Sequence, residues 1–304
     1  MKIDVHAHYV PDGYRAALLR TGHDQPDGMP YLPEWSAAEH VQVMERLGIG
    51  TSLLSISSPG VYLGDGSTAA DLAREVNEVG RRAVVDHPGR FGLLASLPLP
   101  DVDAAMAEIA YCFDHLDVDG FVLLTNLSGT YVSDSSFAPV FRELGRRGAH
   151  VLLHPTSPVC WEHTSFGRPR PMLEFFFDTT RVVVDLVLNG TIADNAELEL
   201  IIPHAGATLP LVTDRIIAFA RLLAPDVEVR RDLGRLHYDL AGFAVPRQLD
   251  ALLTLTTSDH LHYGSDFPFT PEPVVAAAAE RIDEDDSLVD ALRSNTARLF
   301  AAHP

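Results

Sequence analysis

No stretch of this chain approaches the roughly 18 consecutive apolar residues that a membrane-spanning helix needs. Lysine, aspartate and two histidines fall within the first eight residues, which leaves no apolar core for a secretory signal there. Cysteine is nearly absent: Cys112 and Cys160 are the only two in 304 residues, far apart and outside any C-x-x-C spacing. A disulfide scaffold is thereby excluded, and a reducing compartment, the cytoplasm, is the expected location. There is no internal repeat, low-complexity tract or linker. Basic residues are also scarce, 23 against 42 acidic, for a net charge of −19. That balance opposes a sequence-independent grip on nucleic acid or on an anionic membrane. It also means that an anionic ligand would need local positive charge, from a metal or a few arginines.

What is present is a chain that is 46% hydrophobic and long enough to bury a large core, expected to form one domain over 1–304. Short runs rich in Val, Ile and Leu read as strands at 2–8, 51–57, 91–97, 119–125, 150–154, 199–204, 236–241 and 261–266. Amphipathic patterns between them read as helices at 36–48, 68–87, 101–116, 135–147, 171–190, 208–223, 245–257 and 272–282, with a last one at 287–301. Ser36 followed three residues later by Glu39 is a capping box, and Gly48 ends that helix. Eight strands alternating with helices predict an α/β (β/α)8 TIM barrel. A doubly wound open sheet is the alternative, but no G-x-G-x-x-G follows the first strand to favour its dinucleotide-binding form. Two long segments, 9–35 after the first strand and 155–170 after the fifth, are expected to insert at the barrel mouth.

Fourteen histidines in 304 residues would give about 0.6 H-x-H pairs by chance, so the H-A-H at 6–8 carries little weight alone. In an extended chain Asp4, His6 and His8 share one face and Ile3, Val5 and Ala7 the other. Position adds more. His6, His8, His154, His204 and Asp266 all stand at the C-terminal ends of predicted strands, the first, fifth, sixth and eighth. In a closed barrel those ends meet at one mouth, where barrel active sites are built. Three imidazoles and a carboxylate, His6, His8, His154 and Asp266, suit one divalent metal, zinc above all, with a position left open. His204 is either a further ligand or a free base beside the metal. His87, His115 and His303 read as solvated, and His150, His237, His260 and His262 as lower-barrel or surface residues. His23, His40 and His163 lie in or beside the mouth loops.

The segments DVHAHY (4–9), LLHPT (152–156), IIPHAGATLP (201–210), HYGSDFPF (262–269) and SNTARLF (294–300) resemble the amidohydrolase superfamily. More narrowly, they resemble its decarboxylase branch, which includes aminocarboxymuconate-semialdehyde decarboxylase and γ-resorcylate decarboxylase. DGMPYLPEWS (27–36), LLSISSPG (53–60), ASLPLPD (95–101) and RPMLEFFFDTTR (170–181) look most similar to 6-methylsalicylate decarboxylases. The resemblance implies a metal on His6, His8, His154 and Asp266, zinc with manganese as the alternative, and a catalytic role for His204. It also implies that Arg215 reaches into a neighbouring subunit's site to hold a substrate carboxylate, which requires at least a homodimer. The family often has H-x-G-G where this chain has HAGA (204–207), and the helix beginning at 35–44 lacks an arginine for a second carboxylate. The second departure points to a monocarboxylic substrate.

The implied reaction is non-oxidative decarboxylation of a small ortho-hydroxylated aromatic acid. The metal would orient the carboxylate and its ortho oxygen, and a proton would reach the ring carbon from Asp266 or through His204 and water. Phe267, Phe269, Trp161, Tyr9 and Phe175 are the candidate ring walls, with Trp161 favoured by its place in the insertion after His154. The competing reading is a metal-dependent hydrolase of a lactone or amide using the same ligands; a non-catalytic binding barrel is a third.

Overall fold

Chain alternation becomes a closed ring in the computed structural model, which describes residues 1–301. Eight strands form one parallel sheet in sequence order: β1 (Lys2–His8), β2 (Ile49–Ser55), β3 (Phe91–Ser96), β4 (Gly120–Leu124), β5 (His150–His154), β6 (Glu199–Ile202), β7 (His237–Asp239) and β8 (Leu261–His262). The seam joins the last strand to the first. Asp4 bridges Tyr263 in parallel, the His6 carbonyl accepts from the N–H groups of Ser265 and Asp266, and His8 N–H donates to the Phe267 carbonyl. The architecture is therefore the (β/α)8 barrel, and the open-sheet alternative falls.

The strands are short because each needs only to cross the barrel wall, and they sort their side chains to two cores. Val5, Leu53, Leu94, Leu152 and Ile201 fill the lumen, where Leu299 of the closing helix Asp286–Ala301 joins them from below. Leu54, Leu93, Leu123, Val151 and Ile202 face outward into the much larger layer between sheet and helices. Val5 corrects the expected alternation. Between the pairs Asp4↔Ser52 and Ala7↔Leu54, β1 carries one residue more than β2, a bulge that turns both Val5 and His6 inward. Asp4 is left to brace this kink, accepting from the backbone N–H groups of His6 (3.1 Å) and Ser265 (3.0 Å).

Half of the capping box is realised: Ser36 Oγ accepts from Glu39 N–H at the start of the helix Ala37–Leu47, while Glu39 Oε2 accepts from the Ser36 hydroxyl instead of its backbone N–H, and Gly48 closes the helix with φ 67°. The expected helix at 245–257 is shorter, Arg247–Leu252, and that at 101–116 ends in a π turn over Cys112–Leu116. The insertion after β1 holds the helix Asp12–Arg20, and that after β5 holds a single turn, Trp161–Thr164. A small hairpin, Asn126–Leu127 with Thr130–Tyr131, was not foreseen. It is pinned by the buried carboxylate of Asp178, which accepts from Thr125, Asn126 and Tyr131 and so ties the hairpin to the helix Glu174–Leu188. Among the described residues no helix is long and apolar enough to cross a membrane. His303 lies outside the described residues.

Leu152→Ala, which opens a cavity in the lumen, is expected to cost about 2–5 kcal/mol in urea unfolding. Val85→Ala, at a side chain 61% exposed, should change stability by less than about 0.5 kcal/mol. Equal effects would contradict the lumen assignment.

Candidate metal and active site

Seam closure brings together the four side chains singled out in the sequence. His6, His8, His154 and Asp266 each offer one ligand atom, and these atoms lie within 4.8 Å of one another at the mouth. His8 Nε2 is 3.1 Å and His6 Nε2 3.7 Å from Asp266 Oδ1. The outer ring nitrogens are held from behind. His6 Nδ1 meets Asp239 Oδ2 at 2.8 Å, His8 Nδ1 meets Ser55 Oγ at 2.9 Å, and His154 Nδ1 meets the Pro155 carbonyl at 2.7 Å. Each contact is satisfied by Nδ1–H as donor, so the Nε2 lone pairs converge, and buried His6 Nε2 has no hydrogen-bond partner. Three neutral imidazoles and a carboxylate around an orphaned nitrogen fit a single divalent ion.

The electrostatics keep His8, His154 and His204 neutral and Asp266 ionised, whereas the carboxylates around His6 favour a proton there, which a bound divalent cation would displace. Burial opposes charge on His6, but the carboxylates of Asp239, Asp266 and Asp4 together outweigh it and raise this group to about 9. Burial, reinforced by the other histidines, pushes His154 and His204 down, and burial also lowers His8 despite its contact with Asp266. Asp266 is held well below the usual carboxylate range: burial works against its charge, and His8 and His6 overcome it. Asp4, away from the cluster, is pushed up to about 7 by burial.

Asp239, at the end of β7, was missed by sequence reading, although the strand-end rule that selected His154 applies to it equally. Its Oδ2 holds His6, and its Oδ1 accepts from the backbone N–H groups of His204 (2.9 Å) and Ala241 (3.0 Å). One buried carboxylate thus fixes both a candidate ligand and the turn bearing the candidate catalytic base. That turn is strained. His204, Ala205, Gly206 and Ala207 all have positive φ, and Ala207 sits at φ 55°, ψ −117°, a region that suits glycine. Asp266 is also left-handed, φ 58°.

His204 stands beside the cluster, its ring 5.3 Å from that of His6 and 5.6 Å from that of Phe176, with buried Nδ1 unpartnered. It lines a pocket of about 330 Å³, small among ligand sites, together with His154 and Asp266. The apolar walls are Phe175, Phe176, Phe243, Phe269 and Met29. Phe175 and Phe269 were expected, whereas Phe176 and Phe243 were not. The other aromatic candidates lie elsewhere. Phe267 turns away to pack its ring 4.9 Å from that of His40, because its carbonyl is committed to the seam. Tyr9 is fully buried behind the wall and donates to the Val76 carbonyl. Trp161 lines an adjoining cleft. Arg215 is exposed on the helix Leu209–Leu223, its guanidinium 5.1 Å from the Phe219 ring centroid, and is absent from the pocket lining. His40 is a core residue whose Nδ1 accepts from Trp35, and burial lowers it to about 3. His237 and His262 hydrogen-bond to each other at 2.8 Å at the opposite end of the barrel.

The amidohydrolase family matches residues 3–301. The 6-methylsalicylic acid decarboxylase of Aspergillus aculeatus is 32% identical over 318 residues, covering 99% of this chain and 96% of its own. A crystal structure described as an amidohydrolase II superposes with a TM-score of 0.95 at 34% identity, covering 99% of this chain and all of that one. The 5-carboxyvanillate decarboxylase of Novosphingobium aromaticivorans, solved with manganese and a nitrobenzoic acid, shares the fold at a TM-score of 0.86 and 19% identity, with coverage of 99% and 96%.

Asp239→Asn is expected to weaken metal binding about 10–100-fold in chelator competition, since one carbonyl oxygen cannot replace two carboxylate oxygens. Unchanged affinity would remove Asp239 from the site. Ala207→Gly should stabilise the fold by about 1 kcal/mol in thermal unfolding as strain is relieved. A loss of stability would show that this backbone is not strained.

Proposed function

Because this chain belongs to the amidohydrolase family, we propose that it is a metal-dependent, non-oxidative decarboxylase of a small ortho-hydroxylated aromatic acid, similar to 6-methylsalicylate. The observation that carries this reading is the juxtaposition of the His6–His8–His154–Asp266 cluster with a ring-sized pocket walled by phenylalanines. Likeness to the Aspergillus enzyme over the whole chain supports the same substrate class. His6, His8, His154 and Asp266 would hold the ion, zinc by its affinity for imidazole, with manganese the alternative. A bound ion would supply Lewis acidity to stabilise the charge that develops on the substrate.

The chain's own groups do the rest. Phe175, Phe176 and Phe269 sandwich and orient the ring, and their bulk excludes water from the carbon to be protonated. Loss of carbon dioxide requires a proton at that carbon. Asp266 Oδ2 already accepts from Thr270 Oγ1 at 2.8 Å, whereas His204 has an unpartnered Nδ1 beside the pocket. His204, which burial keeps neutral, is therefore the residue we assign to relaying a proton from solvent to that carbon, with Asp266 as ligand and orienting anion.

The pocket lining contains no lysine or arginine, so the substrate carboxylate lacks a cationic side chain from its own subunit. Leu211, Phe219 and Leu222 are 77%, 51% and 78% exposed and form a stripe on one helix face with Arg215 among them. An exposed apolar stripe of this kind is what a second copy would cover, and with Arg215 among its residues it supports a homodimer as the working unit. Cytoplasmic residence is consistent with two free cysteines, Cys112 and Cys160.

Metal-loaded protein is expected to release carbon dioxide from 6-methylsalicylate or a related salicylate, with loss of ultraviolet absorbance. Lactone or amide cleavage without turnover of any hydroxybenzoate would replace this reading with the hydrolase. His154→Ala should lose bound metal by elemental analysis. Arg215→Ala should keep its metal and lose roughly 10–100-fold in turnover, the worth of a charged hydrogen bond; unchanged kinetics would remove Arg215 from the site.

A further inference from the structure

A second cleft of about 570 Å³ adjoins the metal pocket and shares the wall Pro26–Asp27 with it. Its lining includes Trp161, Arg170, Tyr62, Asn126 and Thr156. Among the described residues Arg170 is held in place without a direct ion pair. Its one hydrogen bond runs from Nε to Ser157 Oγ at 3.0 Å, and the buried Asp27 carboxylate, the anion that acts on it, is reached only through that serine and is pushed up by burial. The Ser157 hydroxyl in turn donates to Asp27 Oδ1, so the arm of the side chain is fixed from the wall between the two cavities. The guanidinium lies over Trp161, 4.2 Å from the ring centroid. Gly28, at φ 70°, makes room for it, because a Cβ there would stand 2.1 Å from Arg170 Nη1.

A guanidinium stacked on one face and tethered at Nε keeps its edge free, and that edge matches the two oxygens of a carboxylate. Tyr62, Leu63, Pro158 and Val159 give the same cleft apolar surface for a ring. We propose that this cleft is a second binding site, taking an aromatic carboxylate in its anionic form, with Arg170 as the clamp and Trp161 as the platform that holds Arg170. Against a net charge of −19, it supplies the local positive charge that an organic anion needs to gather beside a mouth without cationic side chains of its own. The choice of an aromatic acid as ligand rests on the decarboxylase reading, while the site rests on the cleft alone.

The chain has two tryptophans, Trp35 and Trp161, so protein labelled with 5-fluorotryptophan gives two fluorine resonances, assigned with Trp161→Phe. Titration with benzoate, an unreactive probe, should shift the Trp161 resonance saturably and leave that of Trp35, which is hydrogen-bonded to His40, in place. The shift should persist in His154→Ala, where the metal site is damaged. In Arg170→Gln the affinity should fall at least about tenfold, and Arg170→Lys, which keeps the charge without the fork, should lie between. A Trp161 resonance that does not move, moves equally in Arg170→Gln, or stops moving in His154→Ala overturns the proposal. Failure of salicylate turnover with this shift intact removes the decarboxylase reading and leaves the second site standing.

Discussion

Everything at the mouth depends on the seam between the last strand and the first. Backbone hydrogen bonds from Ser265 and Asp266 to the His6 carbonyl, and from His8 to the Phe267 carbonyl, close the ring. The same bonds deliver Asp266 to within 3.1 Å of a histidine 258 residues away in sequence. Closing so long a loop is entropically costly, and a small cluster of buried polar groups could not drive it. The outer apolar layer and the lumen plug do that, and the site inherits its geometry from them.

Within the ring, carboxylates hold the polar parts in place. Asp239 orients His6 and anchors the His204 turn, Asp4 braces the bulge that turns His6 inward, and Asp178 fastens the helix that carries Phe175 and Phe176 to the hairpin after β4. Each is buried; the donors that meet Asp239 and Asp178 offset the cost of taking a carboxylate out of water, whereas Asp4 Oδ2 has no partner and burial pushes that group up. The left-handed backbone at His204, Ala207 and Asp266 belongs to the same economy, for local strain persists where surrounding structure determines it.

The distribution of charge is the other organising feature. Acidic residues dominate the chain, yet the pocket is lined by phenylalanines and the convergent histidines. Arg170 in the adjoining cleft and Arg215 on an uncovered helix face are cations that an aromatic anion could meet before or at the mouth. They act at different ranges: Arg170 within its own chain, Arg215 in the proposed dimer.

The strand-and-helix alternation, the capping box at Ser36 and the histidines at strand ends were legible in the sequence because each follows from local periodicity or from spacing along one element. The order of eight strands, and with it the likeness to amidohydrolases, was legible too. What the residues could not convey was where a side chain points once the chain bends. The bulge in β1 moved Val5 into the lumen, the turn after Asp266 sent Phe267 toward His40 and Phe269 to the pocket, and the insertion after β5 placed Trp161 in a second cleft. Asp239 gained its importance from contacts with His6 and His204, 233 and 35 residues away. The sequence by itself determined which chemical groups stand at the barrel mouth. Only the tertiary structure decided which of them share a cavity, because a turn or one extra residue in a strand reverses the face a side chain presents, and long-range pairing selects among those alternatives.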